Sequence, residues 1–205
     1  MAVGKNLLLV PAYGQGVENR MTAGVRKALQ HAGHRVVVAT MPWEQSCGDW
    51  TKAVESRLTT RLTFDAIIMH ALGVLPGMEA MLSAQVNLTE PPKLVVASPS
   101  PFNGDYFGSL KPEWKEAHTT KQLADIRKIS VLGLAQRIHE RSLCHDPIVM
   151  MGQDERTNQD GSPNVAYDCT YAIAQRLQTN VRVMPPAHYS LLEPTYLRSL
   201  IAAVA

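Results

Sequence analysis

A doubly wound, mostly parallel α/β sheet is predicted for this chain by three observations. Short aliphatic runs recur along it: KNLLLV at 5–10, VVVA at 36–39, DAIIM at 65–69, KLVVAS at 93–98, DPIVMM at 146–151 and VRVM at 181–184. Runs of that kind are the signature of strands buried on both faces. Segments with apolar residues at helical spacing separate them, and a β-α alternation closes right-handed onto a parallel sheet. Third, residues 64–77 (FDAIIMHALGVLPG) read as a buried strand, a tight turn with a small residue at its apex, and a helix. An elbow of this kind presents its apex side chain at the carboxyl end of a sheet, and the helix N-terminus aims its N–H groups at whatever binds there. Where G-x-S-x-G has a serine at the apex, this chain has Ala71, and Met69 stands in place of the first glycine.

The elements follow in order. After the strand at 5–10, Pro11-Ala12-Tyr13-Gly14-Gln15-Gly16 makes a turn, and a helix carrying Met21, Val25 and Leu29 runs to about Ala32. Gly14-x-Gly16 invites a dinucleotide-binding reading, but Asn19 stands where a third glycine is needed. Thr40-Met41-Pro42 also leaves no acidic residue at the end of the second strand. Residues 43–49 read as a polar loop, and 50–62 as a helix with Val54 and Leu58 inward. Past the elbow a helix is expected over 75–86, its Met78, Met81 and Leu82 filling core. Residues 99–110 (PSPFNGDYFGSL) form a loop at the carboxyl edge of the sheet. Residues 113–143 are amphipathic and longer than a bare crossover needs, so 105–144 is expected to be a helical lid or a crossover pair. The strand at 146–151 ends in Gly152-Gln153-Asp154-Glu155, a helix spans about 164–177, and the last strand at 181–184 leads through Pro185-Pro186-Ala187-His188-Tyr189-Ser190 to a helix over 194–205.

Composition bounds the function. At 205 residues, with 45% hydrophobic and 19% charged residues, one soluble globular domain spanning 1–205 is expected. A net charge of +2 without a Lys/Arg run argues against a nucleic-acid partner. No apolar run is long enough for a membrane span, and MAVGKNLLLV is too short for a secretion signal, so a cytoplasmic location is expected. Cys47, Cys144 and Cys169 are too widely spaced for a disulfide framework or a zinc site, so reduced thiols and no metal are expected.

Four stretches together carry a resemblance. LLLVPAYG, IIMHALGV, IVMMGQDE and VMPPAHYSLLEP resemble, in chain order, the oxyanion turn, nucleophile elbow, acid strand and histidine loop of the α/β-hydrolase superfamily. The match covers nearly the whole chain, without the first strands of that family, and the HYSLLEP tail is most similar to thioesterases and small acyl esterases. The resemblance implies that position 71 matches the nucleophile, Asp154 the acid and His188 the base, with Glu155 and Asp160 as fallback acids. A hydroxyl attacks a carbonyl only when an imidazole takes its proton, and a carboxylate holds that imidazole in the right tautomer. The oxyanion hole is expected from the backbone N–H groups of Leu72 and Tyr13. Tyr13, Phe102 and His70 are candidate substrate contacts.

What the resemblance implies is hydrolysis or transfer of an acyl ester or thioester, with no cofactor. The acyl group would be small and free, or carried on coenzyme A or an acyl carrier protein. Ala71 cannot be acylated, which leaves two explanations. It is either an engineered replacement of a catalytic Ser or Cys, favoured by the intact acid and histidine, or the mark of a naturally non-hydrolytic relative. Such a relative would bind an acyl substrate or carrier, or use His188 for cyclisation or proton transfer. Lys121, Arg127, Lys128, Arg137 and Arg141 would then be the basic residues to meet an acidic carrier.

Overall fold

A computed structural model of the chain describes residues 4–84, 90–158, 161, 164–185 and 190–205. Its six strands are β1 (Asn6–Val10), β2 (Arg35–Val38), β3 (Ala66–His70), β4 (Lys93–Ala97), β5 (His145–Gly152) and β6 (Val181–Met184). They lie in the order β2-β1-β3-β4-β5-β6 with every neighbouring pair parallel. The chain first moves outward from β1 to β2, then returns to the other side of β1 and continues in one direction. The crevice at that reversal, outside the carboxyl ends of β1 and β3, is where ligands bind in open α/β sheets. Register brings the two strand ends level, Val10 beside Met69, and His70 beside Ala97.

Both faces of the sheet are covered. Alternation along β3 sends Ile67 and Met69 to one side and Ala66 and Ile68 to the other. The first side packs on α2 (Cys47–Leu58), α3 (Val74–Ser83), α6 (Val131–Glu140) and α7 (Val165–Arg176), through Trp50, Val54, Leu75, Met78, Leu134, Ile138 and Ile173. The second packs on α1 (Arg20–His31) and α8 (Pro194–Val204), through Val25, Leu29, Tyr196 and Leu200. Helix starts follow local chemistry. Asn19 caps α1 by accepting from the Met21 N–H, and Asn164 caps α7 by accepting from Ala166.

One expectation is corrected by the fold. Residues 43–49 are not a polar loop throughout, because Ser46 and Asp49 form a reciprocal capping box that starts α2 at Cys47. Trp43 and Cys47 are buried there, with the Trp43 indole N–H donating to the Gln15 carbonyl. The 105–144 segment divides in two. Its second half, α6, lies against the sheet in the place of an ordinary crossover helix. Its first half holds the short helices α4 (Pro112–Lys115) and α5 (Thr120–Ile126), tied across the carboxyl edge. The buried Gln122 amide donates to the Trp43 and Gln45 carbonyls at 2.7 and 2.8 Å, and the Tyr13 hydroxyl donates to the Ala117 carbonyl at 3.0 Å.

Candidate active site

Ala71 follows β3 with a φ of +49°, a left-handed conformation that costs an L-residue about 1–2 kcal/mol. From it a 3₁₀ turn (Ala71–Gly73) runs directly into α3. Two glycines make that sharp transition possible. A Cβ on Gly73 would lie 2.4 Å from the Pro11 carbonyl oxygen and 2.9 Å from that of Val10, so the turn and the end of β1 touch through main chain. A Cβ on Gly77 would lie 2.7 Å from the Met69 sulfur. The bulk that Met69 adds at the elbow is therefore received by Gly77, one turn into the helix.

Above the apex is a cavity of about 330 Å³ lined by Ala71 and Leu72 from the elbow, Ala12 and Tyr13 from the first turn, Ser100 and Phe102 from the loop after β4, and Trp114 and His118 from the cover. Three of its walls are aromatic rings in contact. The His118 imidazole lies 4.8 Å from Phe102 (26° between planes) and 4.3 Å from Tyr13, which in turn packs edge-on to Trp50. Among the described residues, neither His118 ring nitrogen has a hydrogen-bond partner. Burial lowers the His118 pKa, partly opposed by the Trp114 main chain, which favours the charged form. Burial, with the Glu44 and Cys47 charges added, raises the pKa of the Tyr13 phenol, so it is a neutral donor.

Leu72, which follows the apex in the 3₁₀ turn, lines the cavity beside Ala71. Ala71, Leu72, Tyr13 and Phe102 therefore share one cavity. His70 does not join them. It follows Met69, so strand alternation turns it to the opposite face, where it is buried among Leu9, Pro11, Thr22, Val25 and Leu191 on the α1 side.

Beyond β5, a 3₁₀ turn (Gln153–Glu155) carries the two neighbouring carboxylates in different environments. Asp154 is exposed, whereas Glu155 is 1% exposed and accepts from the Gly152 N–H and the Ser98 hydroxyl, each at 2.7 Å. His188 and Asp160 lie outside the described residues. Sequence reasoning missed Ser100, Trp114 and His118 as cavity walls. Trp114 and His118 are four residues apart in the segment expected to form a lid, a spacing that shares a helix face. Burial pushes the thiols of Cys47 and Cys169 up to about 12 and that of Cys144 up to about 11, and none of the three lines the cavity. Among the described residues no His/Cys/Asp/Glu cluster could hold a metal, and no helix is long and apolar enough to cross a membrane.

This arrangement is the α/β-hydrolase fold, with an elbow at the carboxyl end of the third strand in the chain. No protein-family model and no curated protein matches the sequence significantly. Solved structures do match the fold. The ydeN gene product of B. subtilis is 14% identical, covering 97% of this chain and 98% of that one, with a TM-score of 0.67. Est1E from Butyrivibrio proteoclasticus, solved with ferulic acid bound, is 14% identical over 98% and 87% of the two chains, with a TM-score of 0.66. The esterase domain of a Rhodothermus marinus protein is 12% identical over 98% and 84%, with a TM-score of 0.62.

Proposed function

We propose that this chain is the scaffold of an acyl ester or thioester hydrolase or acyltransferase of the serine-hydrolase type, with residue 71 the nucleophile position and Ala71 its disarmed form. The observation that carries this reading is the left-handed φ of Ala71 at a strand-to-helix turn that lines an aromatic-walled cavity. A non-glycine residue is held in that conformation where the surroundings over-determine it, and a function for the apex is the reason to hold it.

In this mechanism a Ser or Cys at 71 attacks the acyl carbonyl, and His188 takes its proton and returns it to the leaving group. The backbone N–H groups of Leu72 and Tyr13 receive the charge that grows on the carbonyl oxygen, a contribution of about 3 kcal/mol per donor. Glu155, rather than Asp154, is the carboxylate that orients the base. A buried acceptor already fixed by two donors keeps one orientation, whereas an exposed one exchanges its contacts with water. The cavity suits a small, flat acyl group packed against Tyr13, Phe102 and His118, presented as an ester or as a thioester of coenzyme A or an acyl carrier protein. With Ala71 in place the chain binds such a group without turning it over.

One observation favours a second reading, a naturally non-hydrolytic acyl-binding protein. The fit of Met69 against Gly77 shows an elbow packed around its own departures from G-x-S-x-G. Intact-protein mass before and after a fluorophosphonate probe separates the two readings. A single adduct on Ala71→Ser, absent when His188→Ala is added, supports the hydrolase scaffold. A folded Ala71→Ser chain that stays unlabelled moves the binding reading forward.

A further inference from the structure

We propose that Ser98 and Tyr196 are positioning residues for the Glu155 carboxylate, holding it in one orientation through a one-way chain of hydroxyl hydrogen bonds from Tyr196 to Ser98 to Glu155. This rests on the assignment of Glu155 as the carboxylate that orients the catalytic base.

The three side chains come from separate parts of the fold, just after β4, the turn after β5 and the first turn of α8, and all are at most 2% exposed. Proton accounting sets the direction of the chain. Ser98 has one hydroxyl proton, and at 2.7 Å it goes to Glu155 Oε1, the same oxygen that accepts the Gly152 N–H. The 3.0 Å contact between Ser98 Oγ and the Tyr196 hydroxyl then carries the tyrosine's proton toward Ser98, with the Met150 carbonyl at 3.2 Å as a second acceptor for it. Burial raises the Tyr196 pKa, and the Glu155 charge adds to the rise, so the phenol keeps the proton that it donates. Each hydroxyl polarises the next, and the chain ends on an acceptor that gains most when it is ionised.

The backbone at Ser98 fits this role. Ser98 has a φ of +45° while its N–H donates to the Met150 carbonyl at 2.8 Å. The main chain is thus docked on β5 in a conformation serine rarely adopts, and the side chain is turned to Glu155. β3 and β4 are neighbours, and each is followed directly by a non-glycine residue with positive φ, Ala71 and Ser98. Tyr196 of α8 is a titratable group that faces Glu155 across this network.

Two measurements test the assignment. In the Ala71→Ser chain, fluorophosphonate labelling is followed against pH with Ser98→Gly, which removes the hydroxyl and tolerates the positive φ, and with Tyr196→Phe. Expected for Ser98→Gly is labelling roughly ten-fold slower, with the acid limb moved up by about one pH unit, and for Tyr196→Phe a smaller change of the same sign. A merely structural role would alter folding and leave the acid limb where it is. The second measurement needs no activity. In the Ala71 chain labelled with [13Cδ]glutamate, the resonance lost in Glu155→Gln is expected to titrate about one pH unit higher when Ser98→Gly is present. An unchanged titration of that resonance overturns the proposal. An Ala71→Ser chain that stays unlabelled while the resonance shifts removes the hydrolase reading and leaves the Ser98–Glu155 coupling standing.

Discussion

Met69 of β3 and Gly77 of α3 share one space, since a Cβ on Gly77 would meet the methionine sulfur at 2.7 Å and its terminal methyl carbon at 2.9 Å. Gly77→Ala gains helix propensity of about 1 kcal/mol but overpacks a fully buried contact by about 1–3 kcal/mol. A net loss of about 1 kcal/mol is therefore expected from urea melts. Combined with Met69→Ala, the double variant is expected to be more stable than the sum of the singles by about 1 kcal/mol. Additive behaviour would mean that strand and helix do not press on each other there.

Gly73 is held on both sides by main chain, the Pro11 and Val10 carbonyls, which cannot swing away as a side chain can. Gly73→Ala is expected to cost about 3 kcal/mol in denaturant melts. Gly16→Ala, with open space around its Cβ, is expected to change stability by less than about 0.5 kcal/mol. Equal effects at the two positions would contradict the tight approach of elbow and first turn.

Ala71 holds a left-handed φ with an L side chain, so Ala71→Gly is expected to raise stability by about 1 kcal/mol. A thermal melt with an unchanged or lowered midpoint would show that the apex is not strained.

His118 titrates lower when folded than its ordinary 6.5, through burial among Tyr13 and Phe102. Above pH 6.5 the imidazole is neutral in both folded and unfolded chain, and its share of stability is complete. Below 6.5 the unfolded chain takes up a proton that the folded chain resists, so stability falls with pH until the lower folded value is passed. His118→Phe is expected to flatten the slope of denaturation midpoint against pH just below 6.5. A slope identical to the parent's would show that this imidazole is hydrated.

All three thiols are raised by burial, to about 12, 11 and 12 for Cys47, Cys144 and Cys169, so each is a neutral thiol at pH 8. Ellman's reagent at that pH is expected to react slowly with the native chain and with all three thiols in denaturant. Fast reaction of one native thiol would single out a cysteine that is exposed in solution.

Much of this protein is legible along the chain. Continuous aliphatic runs such as NLLLV and AIIMH specify strands buried on both faces, because burial on both sides leaves no place for polar alternation. The elbow is local too, since strand, small apex, Gly73 and helix are consecutive. Other features came from tertiary structure alone. Whether His70 or Ala71 faces the cavity depends on a one-residue alternation that only the packed sheet resolves. Which of two adjacent carboxylates is buried depends on Ser98, 57 residues away, and on Tyr196 of the last helix. The partner of Met69 is Gly77, and nothing in either residue alone marks it. Local periodicity sets where strands and helices form, because backbone hydrogen bonding and one-sided burial act over a few residues. The site itself is made by contacts such as that of Tyr13 with Ala117, 104 residues further along, and those energies exist only once the sheet has closed its order.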